Sequence, residues 1–331
     1  MKAIIYTKYG SPEVLQLKEI EKPIPKDDEI LIKVYATTVT SAEGMMRRGD
    51  TLLSRLILGL LKPKKKYQIM GIEIAGEIES RGKNVKRFNT SDSVYGFTGF
   101  VPGAYAQYKC LPEKASLEIK PKNLTFVEAA ASVDGATTAL FFLRDKAHIK
   151  PGHKVLIIGA SGSIGTFAVQ LSLYFGAEVT GVCSTPNLEL VKSIGASEVI
   201  DYTKEDFAQN GKTYDIIFDT VGKSAFSHCK ASLKKKGRYL VTNGSILKNL
   251  ILTFFTSFLS NRKFIYGMSV EKKELLGFLK KLIEEGKIKP VIDKIYSMEQ
   301  IVEAHRYVEK GHKKGNVVIT IEQNNSILSE N

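Results

Sequence analysis

The sequence has few cysteines, and its first 147 residues contain no histidine. The three cysteines, Cys110, Cys183 and Cys229, lie far apart without paired spacing, which fits a reducing compartment and favours a cytoplasmic protein. A zinc site needs three or four Cys, His or carboxylate ligands in a fixed geometry. Since Cys110 is the only cysteine in the histidine-free part, we expect neither a structural nor a catalytic zinc site there.

Long hydrophobic runs are also missing. The most apolar window, Leu250–Leu259, has about half the length that a membrane-spanning helix needs, and Lys248 and Arg262 flank it. We therefore expect no span across a bilayer. The first residues, Met1–Thr7, turn polar after a few apolar side chains, so we expect the start of a strand there and not a secretory signal.

Acidic residues are fewer than basic ones, with 35 Asp and Glu against 48 Lys and Arg, which gives a formal net charge of +13. A basic protein could attract nucleic acid, anionic membranes or phosphorylated ligands. Here the charge is scattered, and its densest runs, Lys62–Lys66 and Lys234–Lys236, are short enough to be solvated loop and helix-end residues. We therefore predict no nucleic-acid function.

The most informative motif that is present is the small-residue turn Gly159–Gly165. The apolar run before it, Val155–Ile158, predicts a strand, and Thr166–Gln170 after it predicts a helix. The G-x-x-G-x-x-G spacing lets backbone approach a pyrophosphate, to which the new helix offers free N–H groups and its positive dipole end. Such a turn alone needs no ligand, so its context decides.

Strands and helices alternate after this motif. Strands are predicted at Glu178–Cys183, Ser197–Asp201, Tyr214–Asp219 and Arg238–Val241, and helices at Asn187–Ile194 and Lys223–Leu233. This alternation predicts an α/β fold with a doubly wound parallel sheet. In that context the glycine motif predicts a nucleotide cofactor site.

Residues 1–124 have a different pattern, in which alternating apolar runs are broken by Pro, Gly, Asn and Asp, and they indicate a separate β-rich domain. The segment Met45–Tyr67 interrupts it, either as a helical flap over a pocket or as a surface excursion packed by its own leucines. We expect one domain of residues 1–124 and 269–331 and a nucleotide domain of residues 125–268. The polar tail from Gln323 is expected to fray.

Eight stretches carry the landmarks of one known family: Met1–Ala3, Gly71–Ile78, Gly103–Tyr108, Ala129–Leu140, Gly159–Gly165, Leu190–Tyr202, Asp215–Gly222 and Ala304–Ile319. Together they resemble zinc-independent medium-chain dehydrogenases/reductases of the quinone oxidoreductase type, the group that includes zeta-crystallin. The resemblance implies a GroES-like β domain, a Rossmann domain, a cofactor in the cleft between them, and a homodimer. Where zinc alcohol dehydrogenases carry Gly-His-Glu, this chain has Gly71-Ile72-Glu73, so we expect hydride transfer to an acceptor that is already electron-poor.

The loop after the second strand of the nucleotide domain bears on the cofactor. An NAD-preferring site has an Asp or Glu about twenty residues beyond the glycines, whereas Val182–Asn187 contains no carboxylate. Ser184, Thr185 and Asn187 could donate hydrogen bonds to a 2′-phosphate, although the same residue types cap helix N-termini. We predict NADPH as the cofactor and no metal.

Further site residues follow from the resemblance. It implies that Tyr202 and Lys204 flank the adenine and the phosphate. The cofactor-binding set also includes Ser161, Gly162, Ser163, Ile164, Gly165, Val221, Gly222 and Asn316. The neighbours of the nicotinamide are expected to be Thr40, Ser41, Tyr95, Thr138, Asn243 and Met268. Of these, Thr40, Ser41 and Tyr95 are candidates for the catalytic pocket, and none is a defined acid or base.

The predicted reaction is hydride transfer from NADPH to a quinone, a small hydrophobic electron-poor acceptor. Two alternatives stay open: a reductase of alkenals or enones on the same scaffold, and a cofactor-binding module without strong catalysis. Three roles also stay open for Phe254, Phe255 and Phe258: the wall of an acceptor pocket, a buried helix or dimer contact, and a weak peripheral membrane contact assisted by neighbouring cations.

Overall fold

The computed structural model describes residues 1–321, for Leu53 the backbone alone, so the tail from Gln323 lies outside the described residues. The strands are β1 (Lys2–Ile5), β2 (Gln16–Glu19), β3 (Glu29–Thr38), β4 (Glu73–Arg81), β5 (Ser93–Phe97), β6 (Tyr108–Pro112), β7 (Ser116–Ile119), β8 (Lys154–Ile158), β9 (Glu178–Cys183), β10 (Glu198–Asp201), β11 (Tyr214–Asp219), β12 (Leu233–Val241), β13 (Lys263–Tyr266), β14 (Ile292–Ser297) and β15 (Asn316–Thr320). The α-helices are α1 (Ser41–Arg48), α2 (Leu52–Leu58), α3 (Phe126–Ala130), α4 (Asp134–Leu140), α5 (Ser163–Tyr174), α6 (Leu188–Ser193), α7 (Phe226–Cys229), α8 (Ile246–Leu259), α9 (Lys273–Glu284) and α10 (Ile301–Glu309).

The chain divides into two compact units. Unit 1 comprises Met1–Asp134, Glu271–Glu284 and the chain from Pro290, and unit 2 comprises Gly135–Val270 and Glu285–Lys289. The predicted ranges differ from these at three places, of which the smallest is residues 269–270, which lie in unit 2. Residues 125–134 lie in unit 1, because α3 packs against β3 and β4. Residues 285–289 lie in unit 2, where Lys289 and the side chain of Gln170 exchange two hydrogen bonds of 3.0 Å.

Unit 1 is built on a mostly antiparallel sheet with the strand order β14-β15-β3-β4-β5-β7, in which β6 also pairs with β3. The alternation of β3 turns Ile30, Ile32 and Val34 into one hydrophobic core, which helix α10 joins through Ile301 and Val308. A two-stranded ribbon of β1 and β2 adds to it. This is the β-rich domain that the sequence predicts, with β14 and β15 supplied by the C-terminal part of the chain.

The segment between β3 and β4 folds as α1, α2 and a short turn. Helix α2 has Thr51 as its N-cap and ends at Gly59, whose φ of 138° suits a residue without a side chain. Among the leucines of α2 whose side chains are described, Leu58 alone is buried. The expectation that this excursion packs on its own leucines is therefore wrong for most of them.

Unit 2 is an entirely parallel sheet with the order β10-β9-β8-β11-β12-β13. Counted along the chain this is the order 3-2-1-4-5-6 of doubly wound dinucleotide-binding domains, in which ligands bind beyond the carboxyl ends of the strands where the order reverses. That reversal lies between β8 and β11. The α/β fold class predicted from the sequence is confirmed.

Helix α8 is the longest described helix with an apolar composition, at 14 residues. Within residues 1–321, no helix has both the length and the apolar character that a bilayer span requires.

Candidate functional site

The glycine turn forms at the carboxyl end of β8, the central strand of unit 2. Gly159 has a φ of 78°, and a Cβ on Gly165 would lie 2.1 Å from the carbonyl oxygen of Gly159. Only glycine at position 165 lets the start of α5 pack this closely on the turn. Gly162 is the N-cap of α5 and has no side chain that could occupy the helix end. No side chain of the N-cap residue therefore binds the first N–H groups of α5, and this helix end suits an anionic group.

The loop after β9 is tied to this turn through Asn187. The buried Asn187 amide donates to Ser161 Oγ at 3.0 Å and to Ser184 Oγ at 3.4 Å. Ser161 belongs to the glycine turn and Ser184 to the loop, so a single amide aligns two hydroxyl groups at the carboxyl ends of neighbouring strands. These side chains do not act as helix caps, because neither Ser184 nor Asn187 accepts a backbone N–H of α6 or of the turn before it.

A carboxylate that was not predicted lies beside this loop. Asp201, at the end of β10, accepts a hydrogen bond of 2.5 Å from the Thr185 hydroxyl. Thr203 donates two more, from its backbone N–H at 3.0 Å and from its hydroxyl at 2.7 Å. The hydrogen bond from Thr185, and then those from Thr203, lower the pKa of Asp201. The loop itself is free of acids as predicted, but its surroundings are not.

Parallel strands end at one edge of a sheet, and that rule could have found Asp201. In the sequence, Asp201 stands near the end of the family landmark Leu190–Tyr202. Lys204 Nζ lies 3.9 Å from Asp201 Oδ2, so a cation offsets the carboxylate at this edge. Tyr202 and Lys204 are exposed and line an open groove of about 320 Å³ formed by residues 202–207.

Two further loops of unit 2 carry predicted cofactor residues. After β11, the carboxylate of Asp219 accepts the backbone N–H groups of Val221 and Gly222 at 2.9 and 2.7 Å. A Cβ on Gly222 would lie 2.8 Å from the Cβ of Asn243, so the loops after β11 and β12 touch. Asn243 is exposed, as is Met268 after β13. All of these residues follow the carboxyl ends of strands in the same parallel sheet.

The remaining predicted residues of unit 2 are less open. Thr138 is buried in α4, and Ser163, Ile164 and Gly165 form the first turn of α5. Gly165 is buried, whereas Ser163 and Ile164 are half-buried.

In unit 1 the predicted pocket residues have structural partners. Thr40 is the N-cap of α1 and accepts the backbone N–H of Glu43 at 3.3 Å, while Ser41 is exposed. Tyr95 is completely buried, and its hydroxyl donates to the Leu276 carbonyl oxygen at 3.3 Å. The ring is therefore enclosed within unit 1, and its place in a catalytic pocket stays a prediction.

Asn316 is also buried in unit 1. Its side-chain amide donates to the Val291 carbonyl oxygen at 3.1 Å, at the junction of β14 and β15. This contact joins two neighbouring strands, so Asn316, which the resemblance assigned to the cofactor, stabilises the sheet of unit 1.

A buried group of ionisable side chains in unit 1 was not predicted. Glu73 on β4 accepts the backbone N–H of Asp134 at 2.5 Å and a short hydrogen bond from the Thr38 hydroxyl. Burial, and then the charge of Asp134, raise the pKa of Glu73. Glu43 on α1 accepts the backbone N–H of Ile72 at 3.1 Å, and burial raises its pKa to about 7. Among the described residues no group of three His, Cys, Asp or Glu side chains could hold a metal ion.

The pH dependence of stability tests this group. An acid whose pKa is higher in the folded than in the unfolded chain binds more protons when folded, so the free energy of unfolding falls as pH rises between the two values. We expect Glu73→Gln to reduce that fall by up to about 1.4 kcal/mol per pH unit between about pH 5 and pH 7. Urea unfolding of both proteins at several pH values measures the slope, and equal slopes would contradict the assignment.

The comparisons with known proteins define the class. Residues 26–121 match the family described as Alcohol dehydrogenase GroES-like domain, and residues 194–319 match the one described as Zinc-binding dehydrogenase. A GroES-like unit joined to a dinucleotide-binding unit is the architecture of NAD(P)H-dependent oxidoreductases. The chain belongs to the medium-chain dehydrogenase/reductase family, and within that family its relatives place it with the quinone oxidoreductases.

Three relatives illustrate the match. A 2-methylene-furan-3-one reductase of Solanum lycopersicum is 33% identical, over 96% of this chain and 79% of that protein. The chloroplastic quinone oxidoreductase QR1 of Triphysaria versicolor is 31% identical, over 96% of this chain and 98% of that protein. The solved quinone oxidoreductase of Coxiella burnetii is 28% identical, with a TM-score of 0.87 over 97% of this chain and 99% of that chain.

The names of the relatives correct one expectation. Several of them are called chloroplastic or mitochondrial, so the prediction of a cytoplasmic protein is wrong. It rested on three unpaired cysteines, and reduced thiols do not distinguish the cytoplasm from other reducing compartments.

Proposed function

We propose that this protein is an NADPH-dependent reductase that delivers hydride to a quinone. The observation that carries the proposal is the Asn187 amide, which holds Ser161 of the glycine turn and Ser184 of an acid-free loop together. A dinucleotide whose pyrophosphate lies at the N-terminus of α5 would bring its adenosine 2′ position to the carboxyl end of β9. Hydroxyl and amide groups there suit a phosphate, which accepts hydrogen bonds and carries negative charge.

Different residues of the site bind different parts of the cofactor. The glycine turn and the first turn of α5 bind the pyrophosphate, while Ser184, Tyr202 and Lys204 bind the 2′-phosphate. Asp201 is held by Thr185, Thr203 and Lys204, which directs its carboxylate away from the role of a ribose acceptor. When bound, NADPH supplies the hydride from the C4 position of its nicotinamide ring. The protein positions donor and acceptor and needs no acid or base of its own to start the transfer.

Transfer of a deuteride from C4-labelled NADPH tests this function. The protein is mixed with labelled NADPH and a quinone, and the loss of reduced-nicotinamide absorbance is followed in a single turnover. We expect oxidation that depends on the quinone and a slower rate with the deuteride. Rapid binding of NADPH without any quinone-dependent oxidation would contradict the proposal.

The second candidate is reduction of the double bond of an α,β-unsaturated carbonyl compound. The name of the relative from Solanum lycopersicum favours it, since a 2-methylene-furan-3-one carries such a double bond. The labelled cofactor separates the two reactions. Deuterium stays on the β-carbon of a reduced enone, whereas a hydroquinone O–H exchanges it with water.

We further propose that the enzyme works without zinc. Unit 1 has Ile72 where zinc alcohol dehydrogenases carry a histidine, and Cys110 is the only cysteine within residues 1–147. Dialysis against a chelator should therefore leave turnover within about twofold of the untreated enzyme, since no Lewis acid is needed for an electron-poor acceptor. Loss of activity that zinc restores would contradict this proposal.

A homodimer is the proposed oligomeric state. The resemblance to quinone oxidoreductases supports this proposal. The outer edge of β13, the last strand of the unit 2 sheet, is not open for pairing with another chain, because Thr256 and Thr253 of α8 accept the backbone N–H groups of Phe264 and Tyr266.

A further inference from the structure

Two surface segments combine exposed apolar side chains with a local excess of positive charge. The first is the leucine-lysine segment, residues 52–66, in unit 1. The second is helix α8 with the residues on either side of it, in unit 2. Each segment has its own exposed apolar side chains and its own cations.

Five apolar side chains of the leucine-lysine segment are exposed. Its exposed members are Leu52, Leu56, Ile57, Leu60 and Leu61, and the exposed fraction of Leu61 is 88%. The segment is held from beneath by the buried Leu58, Pro63 and Tyr67 and by a short hydrogen bond from the Tyr9 hydroxyl to the Gly59 carbonyl. The outward leucines are therefore presented on an ordered support.

Cations follow these leucines directly. Lys62, Lys64, Lys65 and Lys66 are all exposed, and residues 51–67 contain no aspartate or glutamate. Nearby acids would pair with the lysines and weaken the positive potential, and none is supplied by the segment itself. A leucine tip bordered by four lysines has the composition of segments that insert at the headgroup level of anionic bilayers.

Helix α8 is amphipathic in the opposite sense to an ordinary surface helix. Its polar side faces unit 2: Thr256 and Thr253 accept the backbone N–H groups of Phe264 and Tyr266 on β13 at 2.9 and 3.2 Å, and Asn249 donates to the Asn243 carbonyl at 3.0 Å. The other side exposes Leu247, Leu250, Ile251, Phe254, Phe255, Phe258 and Leu259. The threonine side chains of the helix thus contact the sheet edge, and the exposed apolar side chains lie on the other side of the helix.

The stretch of sequence that contains α8 carries charge of one sign. Residues 220–270 contain nine lysines and arginines and no aspartate or glutamate. Apolar patches of several large side chains are uncommon on soluble surfaces and mark interaction sites. A neutral protein partner would explain the exposed phenylalanines but not a stretch of 51 residues that contains no aspartate or glutamate.

We propose that the leucine-lysine segment and α8 each bind the surface of an anionic lipid bilayer, with the apolar side chains at the headgroup boundary and the lysines against lipid phosphates. Charge complementarity favours an anionic bilayer over a second copy of the chain, because contact with a second copy would bring two basic surfaces together. The proposal concerns binding alone and does not depend on which acceptor the enzyme reduces.

Vesicle flotation with the full chain tests it. Vesicles of phosphatidylglycerol and phosphatidylcholine should carry the protein, pure phosphatidylcholine should carry much less, and added salt should release it. Lys64→Gln/Lys65→Gln should weaken binding roughly 30-fold. The matched control, Lys18→Gln/Lys114→Gln, removes the same charge from exposed lysines elsewhere and should have a much smaller effect.

The apolar part has its own pair of variants. Leu61→Ser should weaken binding roughly tenfold. Ile24→Ser is the control, since Ile24 is 87% exposed but lies outside both segments. Phe258→Ser tests α8 in the same way. Absence of flotation at physiological salt, or equal effects of variants and controls, would overturn the proposal. So would a result in which Leu61→Ser or Phe258→Ser changes the oligomeric state and not the flotation, because the faces would then be contacts between copies.

Discussion

Replacing Gly165 by alanine should destabilise the protein by about 3 kcal/mol, at the upper end of the usual cost of overpacking. The new Cβ would lie 2.1 Å from the Gly159 carbonyl oxygen and 2.8 Å from backbone atoms of Ala160. Backbone cannot move aside as a flexible side chain does, so the start of α5 must shift. Thermal and urea unfolding measure the loss.

Gly162→Ala is the matched control. A Cβ at position 162 would meet only the Gly159 carbonyl oxygen at 3.4 Å, which is an ordinary contact. We expect nearly unchanged stability, but roughly tenfold weaker cofactor binding, because the added methyl group intrudes where the pyrophosphate approaches the N-cap of α5. Equal stability losses in the two variants would contradict the described packing, and unchanged cofactor affinity in Gly162→Ala would contradict the pyrophosphate position.

Ser184→Asp should lower the preference for NADPH over NADH roughly 100-fold. A carboxylate about 4 Å from a 2′-phosphate repels it by several kcal/mol at the effective dielectric of a protein surface, and part of that is screened by salt. The same carboxylate would accept hydrogen bonds from the ribose hydroxyls of NADH. The ratio of kcat/KM for the two cofactors, measured with one acceptor, gives the preference.

Two further variants make this prediction specific. Ser184→Asn keeps a neutral polar side chain and should change the preference much less than the aspartate. Asp201→Asn removes the carboxylate that Thr185 and Thr203 hold, and it should raise the preference for NADPH by a smaller factor. If Ser184→Asp left the preference unchanged, the 2′-phosphate would not lie at this loop.

The nucleotide unit was predictable from sequence because its signals are local. The run Val155–Ile158 followed by the glycine turn predicts a strand, a turn and a helix, and the structure has β8, the turn and α5 at those places. The alternation of strands and helices then limits the fold to a doubly wound sheet. One predicted helix, Lys223–Leu233, is reduced to the single turn α7, because Asp219 accepts the backbone N–H groups of Gly222 and Ser224 and holds the chain as a loop.

The candidate site was predictable only in part, because strand ends that meet in space are separated in sequence. Asp201 lies 16 residues after Thr185, yet their side chains are hydrogen-bonded. Tyr95 is a different case, since an aromatic residue on a β-strand gives no local sign of whether it lines a pocket or fills the core. The buried acids Glu73 and Glu43 were missed for the same reason, because burial of a charged residue depends on the packing of distant strands.

Steady-state oxidation of NADPH in the presence of quinones and enones tests the central claim most directly. We expect turnover with quinones, with kcat/KM for NADPH above that for NADH. A protein that binds NADPH tightly but oxidises it with no member of the panel would contradict it and would identify a cofactor-binding module in place of a reductase.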